Sequence, residues 1–193
     1  MHTALLRFVR AVAGATLLGA CVSAPAPQLS ASAVVLETPL VEQDALWECG
    51  LASVSALCSY HGVALSPAAR AQLAATAAER HGLSGDELSE VLRKLGFEVF
   101  VFAGTLDREA TGLLRHVDAG RPTLVMTSER GSEHYGLFIG YDPERNDVVL
   151  LDPVRGRVVL PSNAFAALWE RTGRFTLLAL PFADDTAAQQ DRP

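Results

Sequence analysis

The 193-residue sequence is 49% hydrophobic and 20% charged, with a formal net charge of −6, which is an ordinary globular composition. Its length predicts one domain. The acidic balance, without a basic run longer than two residues, argues against nucleic acid as a partner. Three cysteines, Cys21, Cys49 and Cys58, cannot all pair, which argues against a disulfide framework.

Residues 1–20 have the features of a bacterial lipoprotein signal peptide. Arg7 and Arg10 precede a short apolar run, and the ending Leu18-Gly19-Ala20-Cys21 resembles a lipobox, whose cysteine becomes the lipidated first residue. The alternative is an ordinary secretory signal with an incidental cysteine. Acylation of Cys21 would anchor the chain in a lipid bilayer. Val22 in the next position favours the outer membrane, so we expect a cell-envelope protein on its periplasmic face.

The segments that flank the domain have biased compositions. Residues 21–37 are rich in Ala, Ser and Pro, which predicts a lipidated cysteine followed by a flexible tether. Within this segment, Ser32 to Leu36 are also compatible with an edge strand. The domain itself is expected over residues 38–182, and the polar residues 183–193 are expected to form a disordered tail.

Three helices are predicted in the first half of the domain from their start and stop signals. Gly62 is placed to end the first helix, and Ser66-Pro67 to open the second. Ser84 and Glu87 have the spacing of a capping box at the start of the third. The expected bounds are 49–61, 67–80 and 84–95.

The hydrophobic period then changes from helical to alternating. Strands are predicted at 97–103, 122–127, 135–141, 148–151, 157–160 and 175–180, with helices at 107–119 and 162–171. Helices followed mainly by strands predict an α+β fold in which N-terminal helices pack on a C-terminal antiparallel sheet.

Cys49 is the candidate nucleophile because it stands where a polar loop runs into an apolar helix. The free N–H groups and the dipole at a helix start favour a thiolate over a thiol. A thiolate mechanism also needs a base. His61, His81 and His116 are expected to be surface or helix-cap residues. His134 stands instead between a polar loop and an apolar strand, where either an active-site base or a strand-edge histidine is expected.

An orienting acceptor for the histidine and donors for an oxyanion are also present in the sequence. Asp152 ends the strand that returns from the 142–147 turn, so hairpin pairing brings it within a few residues of His134. An Asp-Pro turn cap is the alternative for Asp152. Gln43, six residues before Cys49, is placed to supply a side-chain amide to an oxyanion hole together with the Cys49 N–H.

These motifs together resemble the bacteriocin-processing cysteine peptidases, peptidase family thirty-nine. The resemblance rests on Gln43-x5-Cys49-Gly50-Leu51-Ala52, His134-Tyr135-Gly136-Leu137 and Asp152-Pro153, and it spans about residues 38–182. It implies a papain-like fold and cleavage after double glycine in leader peptides. The positions matching the family motif would serve as oxyanion glutamine, nucleophile, base and orienting carboxylate.

The sequence also departs from the exporter-fused members of that family. It contains no transporter segment, so the resemblance is to a free-standing lipoprotein member that works outside the cytoplasm, with a separate exporter or secretion system as a possible partner. Trp47, Gly50 and Tyr135 are the candidate substrate-binding residues, although Trp47 is equally compatible with packing the loop on the domain.

No cofactor or metal is expected, because no paired cysteines or histidines have ligand spacing. Cys58 lies nine residues after Cys49 on the opposite side of one helix, so it cannot bridge to it and is expected in the core. Besides a peptidase, two functions stay open: a peptide-binding or assembly lipoprotein that keeps the cleft without turnover, and a cell-wall peptide hydrolase.

Overall fold

A computed structural model describes residues 28–182; the predicted signal peptide, Cys21 and the tail 183–193 lie outside the described residues. The helices are α1 (Cys49–Tyr60), α2 (Pro67–Arg80), α3 (Gly85–Lys94), α4 (Leu113–Asp118) and α5 (Ser162–Glu170). The strands are β1 (Val34–Val35), β2 (Phe97–Ala103), β3 (Thr123–Glu129), β4 (Ser132–Asp142), β5 (Asp147–Asp152), β6 (Gly156–Pro161) and β7 (Phe175–Pro181).

The strands form one antiparallel sheet in the order β2-β7-β3-β4-β5-β6, with β1 added to β4. The pairing of β3 with β4 runs from Thr123 opposite Phe138 to Glu129 opposite Ser132, next to the turn that connects them. This leaves the far end of β4 unpaired on that side, and β1 occupies it through Val34 and Tyr141. β4 is therefore the central strand, and it carries His134 near its start. The predicted α+β class is confirmed.

Alternate residues of the sheet enter two separate cores. One face packs against α1 and α3 through residues such as Leu137 and Leu177, and helix α2 adds Ala77. The opposite face packs against α4 and α5, where Phe138 contacts the Phe165 ring. Burying both faces of a central strand explains its nearly continuous apolar sequence. The sheet thus lies between two layers of helices.

The predicted N-terminal capping residues of α2 and α3 form the expected hydrogen bonds. The Ser66 hydroxyl accepts a hydrogen bond from Ala69 N–H, with Pro67 at the first helical position. Ser84 and Glu87 form the complete capping box, in which each side chain accepts a hydrogen bond from the other's backbone N–H. Such caps contribute about 1 kcal/mol each, so the two helices begin where local chemistry places them.

The helix predicted over 107–119 is wrong in its first half. Only Leu113–Asp118 is helical. Asp107 accepts hydrogen bonds from the Thr105 hydroxyl and the Glu109 N–H instead. This local side-chain capture of the backbone competes with a helix, and a β-bridge from Thr105 to Gly112 completes the turn.

The chain from residue 28 onward belongs to the folded domain, although it was predicted as part of a flexible tether. β1 pairs with β4, as the edge-strand alternative for Ser32 to Leu36 anticipated. Ser30 also donates two hydrogen bonds to the buried carboxylate of Asp142, from its N–H at 2.6 Å and its hydroxyl at 2.7 Å. Among residues 28–182, no helix is both long and apolar enough to cross a membrane.

Candidate active site

Cys49 is the first residue of α1 and lies in the wall of a groove, with 8% of its surface exposed. Glu48 precedes it as the N-cap but makes no side-chain capping hydrogen bond. The N–H groups of the first turn are therefore left without a cap. From Cys49 to Cys58 every residue of α1 is buried, so the helix is enclosed by the domain and holds the thiol in one place.

The thiol of Cys49 is prepared to ionise. Burial raises its pKa, but hydrogen bonds to His134 and to the backbone of Tyr135 and Gly50, together with the charge of the imidazolium, outweigh burial and lower the pKa overall. Cys58 shows the contrast on the same helix, where burial alone raises the pKa to about 12. Both cysteines are free, and Cys58 lies in the core as expected.

His134 faces Asp152 across the hairpin formed by β4 and β5. The Nε2 atom of His134 lies 3.3 Å from Oδ1 of Asp152. The turn at 142–147 is where the sequence predicts it, but a bulge between Phe138 and Gly140 shifts the pairing by one residue. Extending the register beyond the bulge places Asp152 opposite Gly136. Residues 134 and 136 share a face, so the bulge is what brings Asp152 to the face of His134.

The charges of this pair reinforce each other. The contact with Asp152, followed by the hydrogen bond to Cys49, outweighs burial and raises the pKa of His134 to about 9. Burial raises the pKa of Asp152, but hydrogen bonds from His134, the Val154 N–H and Arg155 hold it well below the usual range. At neutral pH the site therefore holds a carboxylate beside an imidazolium, and the imidazolium favours the thiolate. Because Nε2 faces Asp152, Nδ1 is the ring nitrogen left for Cys49.

Gln43 lies in the loop before α1 and is tied to the strand end that carries Asp152. Its backbone N–H donates to the Pro153 carbonyl at 3.1 Å. One hydrogen of its amide donates to the Ala45 carbonyl at 2.8 Å. Its Oε1 is buried without a hydrogen-bond partner among residues 28–182. Ala45 is the one hydrogen-bond partner of the amide nitrogen within residues 28–182, and the oxyanion role of Gln43 stays a prediction.

Two grooves adjoin the Cys49–His134 pair. The first, of about 480 Å³, contains Cys49 together with Trp47 and Tyr135, and the Trp47 ring meets His81 edge-on at 6.1 Å. The second, of about 520 Å³, lies on the side of His134 and Asp152. Ser132 lines both grooves. Trp47 both lines the first groove and packs partly against the core, and its role in substrate binding stays a prediction.

Gly50, a predicted substrate-binding residue, is not among the residues that line the groove, and its role in binding stays a prediction. It is buried under α3, and a Cβ atom in its place would lie 3.3 Å from both Leu88 and Tyr135. Its backbone N–H contributes to the lowered pKa of the Cys49 thiol. The small side chain lets α1 approach the sheet closely, which brings the thiol to the level of β4.

Of the remaining histidines, His116 lies in a different environment from the one predicted. His61 and His81 terminate α1 and α2, as expected of cap residues. His116 was expected on a solvated helix face but is 5% exposed, and neither of its ring nitrogens has a partner among the described residues. Helix α4 packs against β4, and the His116 ring lies 5.9 Å from the Phe102 ring, measured between centroids. No group of three potential metal ligands occurs within residues 28–182.

Three residues at the site have no place in the sequence-based prediction. Leu46 is 89% exposed beside Trp47 at the rim of the first groove, and Met126 lines the same groove from β3. Arg155 contacts the Asp152 carboxylate. The sequence contains a pattern that points to Arg155: Asp-Pro-x-Arg occurs at both 142–145 and 152–155, and in each copy an arginine follows the aspartate by three residues.

The family model described as the peptidase C39 family matches residues 37–178. No curated protein matches the chain. The match to this family therefore includes both halves of the site, from the loop before α1 to β7.

Solved structures share the fold. The peptidase domain of Streptococcus ComA, a bi-functional ABC transporter of a quorum-sensing pathway, is 22% identical, covering 74% of this chain and 97% of that chain with a TM-score of 0.59. A double glycine motif protease from an AMS/PCAT transporter, in complex with a leader peptide, is 20% identical over 76% of this chain and 94% of that chain, with a TM-score of 0.59. A C39-like peptidase from Bacillus anthracis is 18% identical over 79% and 99%, with a TM-score of 0.58. The expected papain-like fold is confirmed.

Proposed function

Because the chain belongs to the peptidase C39 family, we propose that it is a cysteine peptidase that cleaves a leader or precursor peptide after small residues such as Gly-Gly. The observation that carries the proposal is the arrangement of Cys49, His134 and Asp152. The imidazole of His134 lowers the pKa of the Cys49 thiol, and its Nε2 atom lies 3.3 Å from the buried carboxylate of Asp152. This is the relation of nucleophile, base and orienting group that acyl transfer requires.

The proposed reaction uses each group once per half-cycle. The Cys49 thiolate attacks the carbonyl carbon of the scissile peptide bond, and the resulting oxyanion accepts hydrogen bonds from the Cys49 N–H and the amide of Gln43. The imidazolium of His134 gives its proton to the leaving amine, and the C–N bond breaks to leave a thioester. His134 then takes a proton from water, whose oxygen attacks the thioester, and the acid and the thiol are released.

The preference for small residues is supported by relatives and by the groove walls. A relative with the same fold is a double glycine motif protease bound to a leader peptide. In this chain the Trp47 and Tyr135 rings line the groove that contains the thiol. A pair of glycines would let a peptide backbone pass between bulky aromatic side chains and approach the sulfur.

The reactivity of Cys49 tests the proposed function. We expect iodoacetamide to alkylate Cys49 at neutral pH faster than an ordinary thiol, because the imidazolium stabilises the thiolate. Peptide mapping by mass spectrometry assigns the label, and buried Cys58 is expected to stay unmodified. A rate for Cys49 no faster than that of a free thiol would refute an activated nucleophile.

Turnover is followed in parallel with a matched pair of peptides. One carries Gly-Gly, and the other has Val-Val at the same position. Cleavage of the first alone by the wild-type protein, and of neither by Cys49→Ala, is the expected outcome. Tight binding of the Gly-Gly peptide without products would instead indicate the peptide-binding function, and cleavage of purified muropeptides would indicate a cell-wall hydrolase.

A second part of the proposal concerns location: we infer a lipid-anchored protein on the periplasmic face of the outer membrane. It is motivated by the lipobox-like Leu18-Gly19-Ala20-Cys21. Cys21→Ala is expected to move the protein from the membrane fraction to the soluble fraction of the cell envelope, because the acyl chains provide the anchor. Fractionation followed by immunoblotting measures this. Equal membrane association of the variant and the wild type would refute the anchor.

A further inference from the structure

The carboxylate of Asp152 is held by different partners at its two oxygens. Oδ1 accepts hydrogen bonds from the Val154 N–H at 2.8 Å and the Arg155 N–H at 3.1 Å, and it is the atom that contacts His134. Oδ2 is contacted by the Arg155 side chain, through Nε at 2.9 Å and Nη2 at 2.7 Å. The side chain of Asp152 is 5% exposed, whereas that of Arg155 is 59% exposed.

The Asp-Pro-x-Arg turn at 152–155 has a second copy at 142–145, away from Cys49 and His134. At the start of the hairpin connection, Asp142 accepts hydrogen bonds from the N–H groups of Glu144 and Arg145 at 3.1 and 3.2 Å. There the Arg145 side chain is loose, with Nε 3.8 Å from Oδ2, and Ser30 bonds the carboxylate instead. In both Asp-Pro-x-Arg turns, two backbone N–H groups therefore bond Oδ1; at Asp142 the Ser30 hydroxyl bonds Oδ1 as well, at 2.7 Å. The close Arg155 contact on Oδ2 is an addition found at the site.

We propose that Arg155 is a positioning residue for the Cys49–His134 pair, fixing Oδ2 of Asp152 so that Oδ1 stays on Nε2 of His134. The proposal rests on the peptidase function above. A carboxylate secured at only one oxygen can turn about its Cβ–Cγ bond, and the imidazole then loses the partner that sets its orientation. Arg155 touches no reacting atom, so its effect passes through Asp152.

Arg155 also acts on the charge of the site. Its guanidinium offsets part of the Asp152 charge, which limits how strongly the carboxylate stabilises the imidazolium. Removing that cation is expected to raise the pKa of His134, and to raise the pKa of Cys49 because a nearby positive charge is gone. The acid limb of Cys49 alkylation then moves to higher pH. The other charged or titratable groups near His134 come from three elements and one turn: Cys49 from α1, Glu129 from the end of β3, Arg130 from the β3–β4 turn, and Glu133 and Tyr135 from β4.

Arg155→Gln and Arg145→Gln form a matched pair for the test in the full-length protein. The rate of Cys49 alkylation by iodoacetamide is measured across the pH range for both variants and the wild type. We expect Arg155→Gln to be slower at neutral pH by on the order of 10-fold, the lower end of the loss seen when outer partners of metal-ligating histidines are removed. Its acid limb should shift to higher pH, while Arg145→Gln follows the wild-type curve.

Arg155→Lys is a second variant that keeps the test decisive if Arg155→Gln does not fold. Lysine keeps the positive charge but contacts Oδ2 from a single nitrogen, so we expect the wild-type pH limb with a several-fold lower rate. If Arg155→Gln or, where that variant does not fold, Arg155→Lys reproduces both the rate and the pH profile of the wild type, the proposal is overturned. A wild-type thiol that is itself unreactive would instead overturn the peptidase function.

Discussion

Replacing His134 by Ala is expected to lower the rate of peptide cleavage by about 10²–10⁴, the range that a positioned acid–base group contributes. The pKa values of His134 and Cys49 are shifted by each other, and Nε2 of His134 lies 3.3 Å from Oδ1 of Asp152. Without the imidazole, the thiol loses the cation that opposes the effect of its burial, so the pKa of Cys49 rises. The leaving amine also loses its proton donor, so both the nucleophile and the general acid are impaired.

The same substitution is expected to leave the fold intact, which separates chemistry from stability. The His134 side chain is 30% exposed at the groove, so its removal opens no closed cavity. The measurement is the initial rate of cleavage of a Gly-Gly peptide, with the alkylation rate of Cys49 and the midpoint of thermal unfolding recorded on the same samples. His61→Gln, at the opposite end of α1, is the control and should cleave normally. Cleavage by His134→Ala at a wild-type rate would remove His134 from the mechanism.

Replacing Trp169 by Ala is expected to lower the free energy of unfolding by about 3–5 kcal/mol, as large-to-small substitutions in a core do. Trp169 is 1% exposed on α5, and its ring stacks on Phe165 with centroids 5.2 Å apart. Its indole N–H donates to the Phe175 carbonyl at 3.0 Å, which links α5 to the start of β7. Alanine leaves a cavity between helix and sheet and a carbonyl without its donor.

Urea denaturation measures this loss, and two variants set the scale. Trp169→Phe keeps an aromatic ring but removes the hydrogen bond, so its loss should be smaller. Glu170→Ala changes the adjacent, exposed residue of the same helix and should stay within about 0.5 kcal/mol of the wild type. A loss of under 1 kcal/mol for Trp169→Ala would mean that α5 contributes little to holding the sheet.

The parts of the fold that depend on local chemistry were predictable from the sequence. Ser66-Pro67 and the pair Ser84 and Glu87 mark helix starts because their side chains satisfy N–H groups within the same turn. The segment 107–112 was not predictable from hydrophobic periodicity, because the Asp107 side chain captures backbone groups that a helix would use. The burial of His116 depends on how α4 lies across the sheet, and no local pattern encodes that.

The sequence by itself determined which residue types the site contains and where the hairpin turns. Cys49 at a helix start, His134 at a strand start and Asp152 at a strand end all follow from local patterns. Whether His134 and Asp152 share a face was decided only in the tertiary structure. If β4 and β5 paired about the predicted turn without a bulge, Asp152 would lie opposite Leu137. Its side chain would then point to the other face of the sheet from His134. The bulge between Phe138 and Gly140 shifts the pairing by one residue. Because side chains alternate with a period of two, that single residue brings the carboxylate to the imidazole.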